Sequence, residues 1–255
     1  MSTPALTPTR ILLVTGGSRG IGAATAVLAA RAGWDVAINY TRDATAAEAV
    51  AAEVRALGRR AMVMQADVAN EAQVLAMFAA VDASLGRVTG LVNNAGIVDL
   101  PARVDEMSLQ RLQRMWAVNI TGSFVCAREA LKRMSRRHGG PGGAIVNLSS
   151  AAARLGSPNQ YVDYAASKGA IDTFTLGLAR EVAAEGVRVN GVRPGIIDTD
   201  IHASGGQPDR AAQMAPSVPL QRAGTSEEVA AAIVWLLSDE ASYATGTTID
   251  VTGGR

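Results

Sequence analysis

ILLVTGGSRGIG, residues 11–22, joins a short apolar run to a glycine-rich turn and then to the start of a helical pattern. Residues 11–15 read as a buried strand. Ile21, Thr25, Leu28 and Ala32 follow helical spacing, and Gly33 stands where a C-terminal cap is wanted. Between the two, glycines permit φ > 0 and let backbone N–H groups approach a phosphate at the helix N-terminus. The spacing is G-x-x-x-G-x-G, which is not the G-x-G-x-x-G fingerprint. On glycines alone the turn could be an ordinary tight one; the strand before it and the helix after it favour an anion-binding turn.

Outward from this stretch, strands and helices alternate. Strands are predicted at 36–40, 61–65, 88–92, 144–148, 187–192 and 248–251. Helices are predicted at 44–57, 71–85 with Asn70 as cap, 108–137 with Ser108 as cap, 160–185, and 226–238 with Ser226 opening a capping-box-like start. Residues 194–224 show no clear periodicity and read as a long loop with room for a short helix. Buried strands separated by helices require crossover connections, hence an α/β, doubly wound parallel sheet of about seven strands. One domain is expected over 10–255, with a substrate loop at about 194–225 and a loose tail at 1–9.

Composition narrows the classes. With 255 residues the chain can bury a sizeable core, and a net charge of +1 gives no electrostatic case for nucleic acid or an anionic membrane. Cys126 is the single cysteine, which excludes an intrachain disulfide and a cysteine-cluster metal site; no metal is expected. No apolar run approaches a membrane span, and residues 1–9 lack the pattern of a signal peptide, so the expected location is cytoplasmic.

In parallel α/β sheets, ligands bind beyond the carboxyl ends of the strands. Five unusual clusters fall there: 16–22, Asp67, 93–96, Ser149-Ser150 and 194–199. Next to them lies YAASK, residues 164–168. On a helix, positions i and i+4 share a face, so the Tyr164 phenol and the Lys168 ammonium point the same way. A nearby cation favours phenolate and is expected to lower the Tyr164 pKa towards the range of a proton-transfer group.

TGGSRGIG at 15–22, NNAG at 93–96, Asn119, Ser150, Tyr164-x-x-x-Lys168 and RPG at 193–195 with Thr199 occur in that order. Together they resemble the short-chain dehydrogenase/reductase superfamily, in its single-domain Rossmann branch, over nearly the whole chain. The resemblance implies hydride transfer between a nicotinamide cofactor and a carbonyl or secondary alcohol. It implies Tyr164 as general acid/base, Lys168 as the ribose-holding lysine and Ser150 as the donor to the substrate oxygen, with Ser149 as its competitor. Asn119 would hold a water linking the lysine to solvent; by itself it reads as a polar residue capping local backbone. Gly16, Ser18, Arg19, Gly20, Ile21 and Gly22 would line the pyrophosphate and ribose, and Asp67 and Val68 would meet adenine. Asn93, Ala95 and Gly96 would floor the ribose pocket. Pro194, Gly195, Ile197 and Thr199 would surround the nicotinamide amide.

NADP(H) is the expected cofactor. An NAD enzyme of this fold places Asp or Glu at the end of the second strand; here that position is Tyr40, followed by Thr41 and Arg42. Arg19 and Arg42 offer cations to a 2′-phosphate, while Asp43 is placed to start the next helix. Within the family the chain resembles 3-oxoacyl carrier-protein reductases and bacterial glucose 1-dehydrogenase-like enzymes, with Thr252 where relatives often have Asp. Two other readings are a nucleotide-binding regulator without catalysis and a nucleotide-sugar epimerase or dehydratase. The intact Ser150, Tyr164 and Lys168 argue against the first, and the short stretch after the sixth strand against the second. His138 reads as surface, His202 as a candidate substrate contact, and Tyr161, with Ala165 four residues on, as a poor alternative base. Apolar and small residues exceed one core-facing stripe on the helices at 108–137 and 160–185, and the resemblance turns this surplus into an expected homotetramer.

Overall fold

Alternation along the first strand builds both faces of a sheet at once. In β1 (Ile11–Val14), Ile11 and Leu13 enter one hydrophobic layer, and Leu12 and Val14 enter the other. A strand covered on both sides reads as an unbroken apolar run, because successive side chains point to opposite faces. The computed structural model describes residues 10–255 apart from the His202 side chain, so the tail expected at 1–9 lies outside the described residues.

The chain continues through α1 (Gly20–Arg31), β2 (Asp35–Tyr40), α2 (Ala44–Ala56), β3 (Ala61–Gln65), α3 (Glu71–Ser84) and β4 (Gly90–Asn93). Then come α4 (Leu109–Trp116), α5 (Gly122–Met134), β5 (Gly143–Leu148), α6 (Ala152–Leu155), α7 (Val162–Val182) and β6 (Val187–Pro194). Three helices, α8 (Ile201–Ser204), α9 (Arg210–Met214) and α10 (Ser226–Leu237), precede β7 (Thr248–Val251). The sheet has seven parallel strands in the order β3-β2-β1-β4-β5-β6-β7. Winding reverses between β1 and β4, which opens a crevice at their carboxyl ends. Side chains of α3, α5 and α7 cover one face of the sheet, and those of α1, α2 and α10 cover the other.

Helix starts follow side-chain chemistry. Asp43 accepts from the Ala46 N–H at 2.8 Å, and Asn70 accepts from Gln73 at 3.2 Å. Both satisfy N–H groups that a helix cannot bond internally. At α10 the cap is Thr225, not Ser226, with Glu228 closing the capping box. The helix expected over 108–137 is a composite. A π-helical turn, Ala117–Thr121, separates α4 from α5, and a 3₁₀ turn, Arg136–His138, follows Ser135. No glycine or proline lies within 117–121; its wide turn coincides with Asn119 being carried inward. The loop expected at 194–224 holds α8, α9 and a 3₁₀ turn, Ala215–Ser217.

Candidate active site

The glycine turn is held by asparagines from neighbouring strands. Gly16, at φ +61, donates its N–H to Asn39 Oδ1 at 3.1 Å. The Asn94 side-chain amide donates to the Thr15 and Gly16 carbonyls, each at 2.9 Å. A Cβ on Gly22 would lie 2.4 Å from the Gly16 carbonyl oxygen, so only glycine lets the helix close on the turn. No side chain caps α1 and its first turn carries no acid, which leaves an electropositive helix end facing the crevice. Arg19, just before it, reaches Ser204 Oγ at 3.2 Å and Asp200 at 4.0 Å. Sequence reasoning missed Asn39 and the locking role of Asn94; the signal for Asn39 was one amide inside an otherwise apolar strand.

At the end of β2, Tyr40 is half-buried, Thr41 and Arg42 are exposed, and Asp43 is turned back to cap α2. Asp67 pairs with Arg114 at 3.0 Å, while Val68 packs its side chain into the core beside Gly122. Among 93–96, the Asn93 side chain turns into the interior, donating to the Ser123 carbonyl at 3.1 Å and to Asn147 Oδ1 at 2.9 Å. Ala95 donates its N–H to the Thr15 hydroxyl at 3.0 Å. Asn94 and Gly96 line the cavity described below; Asn93 does not.

Asn119 does not cap its own helix. Its Oδ1 accepts from the Ile97 N–H at 2.8 Å, and its amide donates to the Ile97 carbonyl at 3.0 Å and to Ser167 Oγ at 3.1 Å. A Cβ on Gly96 would lie 3.5 Å from Asn119 Oδ1 and 3.6 Å from Lys168 Nζ, so the three meet at one point.

Tyr164 and Lys168 stand one turn apart on α7, with Lys168 Nζ 5.6 Å from the phenol ring centroid. Lys168 is buried and donates to the Leu148 carbonyl at 2.6 Å. Burial pulls its pKa down from 10.5 to about 8, against a smaller upward pull from Asp172. Ser149 spends its hydroxyl on the Lys168 carbonyl at 3.1 Å. Ser150 instead lines the cavity beside the Tyr164 phenol and accepts from the Ala152 N–H at 3.1 Å. The expectation of a lowered Tyr164 pKa is corrected: burial raises it, and the Ser150 hydroxyl offsets only part of that rise. Desolvation of a phenolate outweighs the help of a lysine that is itself desolvated.

These groups open into a cavity of about 170 Å³ at the carboxyl ends of β4, β5 and β6. It gathers Ile21, Asn94, Gly96, Ser149, Ser150, Tyr164, Lys168, Pro194, Gly195, Ile197 and Thr199. Tyr40, Thr41, Arg42, Asp67 and Val68 lie outside its walls. Thr199 packs against Gly20, closing the turn from the loop side. Tyr161 and Arg210 also line the cavity, and the Arg210 guanidinium lies 5.3 Å from the Tyr161 ring centroid. Sequence reasoning gave Arg210 no part, because its loop lacks periodicity. His138 is exposed, and the side chain of His202 lies outside the described residues. Among the described residues no helix is long and apolar enough to cross a membrane.

Residues 16–255 match a family model described as "Enoyl-(Acyl carrier protein) reductase". An "Uncharacterized oxidoreductase YgfF" of Escherichia coli K12 is 56% identical over 96% of this chain and 99% of its own length. A "3-oxoacyl-[acyl-carrier-protein] reductase" of Synechocystis is 40% identical over 96% of both chains. Among solved structures, a short-chain type dehydrogenase/reductase from Mycobacterium marinum superposes with a TM-score of 0.89 at 35% identity, covering 96% of this chain and 94% of that one. A blue fluorescent protein from a metagenomic library, in complex with NADPH, gives 0.87 at 36% identity over 96% and 97%.

Proposed function

This chain belongs to the short-chain dehydrogenase/reductase superfamily of oxidoreductases, and on that premise we propose that it is an NADP(H)-dependent carbonyl reductase with Tyr164 as its general acid. The observation that carries the reading is that the Ser150 and Tyr164 hydroxyls and the Lys168 ammonium line one largely apolar cavity, with Lys168 Nζ 5.6 Å from the phenol ring centroid. A phenol with a raised pKa keeps its proton at neutral pH and can give it to a carbonyl oxygen that is becoming an alkoxide. Ser150, beside the phenol, is placed to donate to the same oxygen. Lys168, one turn along α7, stabilises the phenolate left behind and offers its ammonium to a ribose.

The cofactor site fits a dinucleotide phosphate. An uncapped helix N-terminus, a glycine turn with no room for a Cβ at Gly22 and a cation at Arg19 receive the anionic part. Position 40 holds tyrosine, so no carboxylate repels a 2′-phosphate. When bound, NADPH supplies the hydride. Asn119 keeps the segment after β4 in place beside Lys168. A related protein solved with NADPH supports the choice of cofactor.

The test is NADPH oxidation against ketones, a 3-oxoacyl thioester, an enoyl thioester, aldoses and steroids. Reduction of a carbonyl substrate is expected. Turnover of the enoyl thioester alone, or of nothing, overturns the reading. We also propose a homotetramer. Phe124 and Leu176 are half-exposed on neighbouring helices, Phe124 stacks on Phe174 at 3.7 Å, and Ala166, Thr173 and Gly177 are exposed on α7. Light scattering that returned a monomer at micromolar concentration would end that proposal.

A further inference from the structure

We infer that Arg210 selects a carboxylate on the substrate, so that the chain turns over oxo acids in preference to their neutral esters. The inference rests on the carbonyl-reductase reading and adds the substrate class.

The cavity is lined by two sets of residues. One is Ser150, Tyr164 and Lys168. The other is apolar Val98, Leu155 and Ile201, with Tyr161 and Arg210. Among the described residues no Asp or Glu lines it. A guanidinium beside such walls is poorly solvated, and it recovers that cost when it meets an anion. Arg210 is half-buried and pre-positioned: its Nη1 donates to Gln207 Oε1 at 2.6 Å, and its plane lies over Tyr161. Those contacts are to a neutral amide and a neutral ring. Among the described residues no carboxylate pairs with Arg210. The contrast is with Arg111, which holds Asp163 at 2.8 Å, and Arg193, which holds Asp172 at 2.9 Å.

Position gives the cation its use. Tyr161 is the N-cap residue of α7, three residues before Tyr164. Arg210, 5.3 Å from the Tyr161 ring centroid, therefore shares the cavity wall with Tyr164. A substrate whose carbonyl sits at Ser150 and Tyr164 extends its other end towards Arg210. One guanidinium fork matches one planar carboxylate with two parallel hydrogen bonds. Among the described residues that line the cavity, Lys168 is buried and Arg255 is exposed, and Arg210 is the half-buried cation.

The experiment compares 4-oxopentanoate with methyl 4-oxopentanoate, and 5-oxohexanoate with its methyl ester, using NADPH and the full chain. The acid is expected to exceed its ester in kcat/KM by about tenfold, mostly through KM, the lower end of what one charge-assisted contact gives. Arg210→Gln should bring the acid-to-ester ratio close to one, and Arg210→Lys should keep part of it. Both rates come from one preparation, so partial misfolding cancels in the ratio. A wild type that uses ester as well as acid, or a ratio that survives Arg210→Gln, overturns the inference while leaving carbonyl reduction intact. Calorimetric titration of the NADPH-loaded protein with pentanoate and methyl pentanoate reads the same contact without turnover. A preference for pentanoate that Arg210→Gln abolishes supports the inference even if the proposed reaction fails; equal binding overturns it.

Discussion

Lys168 and Arg210 are both cations of one cavity, held in opposite ways. Lys168 rises from a 21-residue helix, is buried, and has its pKa pulled down to about 8 by desolvation. Arg210 opens a five-residue helix in the loop after β6 and stays half-buried on an aromatic ring and an amide. Long helices and sheet ends fix atoms well enough for proton transfer. Short loop helices can change residue without disturbing the sheet, and so suit the choice of substrate. On the proposed reading, the difference teaches that chemistry and selection fall to a long helix and a short loop helix respectively.

The comparison breaks first at the phenol. Tyr164→Phe keeps the ring and removes the proton, so kcat should fall by about 10²–10⁴-fold with NADPH affinity nearly intact. Retention of more than about a tenth of kcat would show that the rigid end does not supply the acid. Next is the anchor of that end. Asp163 is fully buried against the Arg111 fork at 2.8 and 3.2 Å, beside Tyr164. Asp163→Ala leaves a buried guanidinium unpaired and should cost about 3–5 kcal/mol in urea unfolding. A loss under about 1 kcal/mol would mean that α7 does not depend on this pair.

A third test moves to the exposed cation of the glycine turn. Arg19→Ala should lower the NADPH-to-NADH ratio in kcat/KM by about tenfold and leave NADH use in place. Equal loss with both cofactors would show that Arg19 does not read the phosphate. The smallest effect concerns pH. The Lys168 amine is charged below about pH 8 and loses its proton as pH rises through that value, so cofactor affinity should weaken there. The unfolded chain keeps that proton up to about 10.5, so it binds more protons between about 8 and 10.5. The cost of burying the ammonium is thus fully present below pH 8 and lifts across that window. Lys168→Met should flatten both profiles; unchanged profiles would assign the titration elsewhere.

Much of the fold was legible because an unbroken apolar run such as that of β1 marks a strand covered on both faces. Asp43, Asn70 and Ser108 announced helix starts correctly, since a cap acts within three residues of itself. The cavity lining was legible where motifs follow a strand or share a helix face: Gly96 and Ser150 come after β4 and β5, Tyr164 and Lys168 are four residues apart on α7, and all four line the cavity. Interactions reaching across the chain were not. The π turn at 117–121 contains no breaker and accompanies a bond from Asn119 to Ile97. The acidity of Tyr164 was misjudged because spacing shows a cation but not how deeply the phenol is buried. Arg210 was silent because its meaning comes from Tyr161, on another element.

The lock between the glycine turn and β4 also sets a timetable. Thr15 and Asn94 bond across a separation of 79 residues. At about 5–20 residues per second of synthesis, β1 emerges about 4–16 s before that partner exists. Its pairing with β2, through Leu12 and Val36, comes much sooner. For those seconds the strand that will be central to the sheet has one bare edge, fully apolar and open to any neighbouring chain. The turn best recognised in the sequence is therefore secured only once residue 94 has been made, well after its own strand and helix.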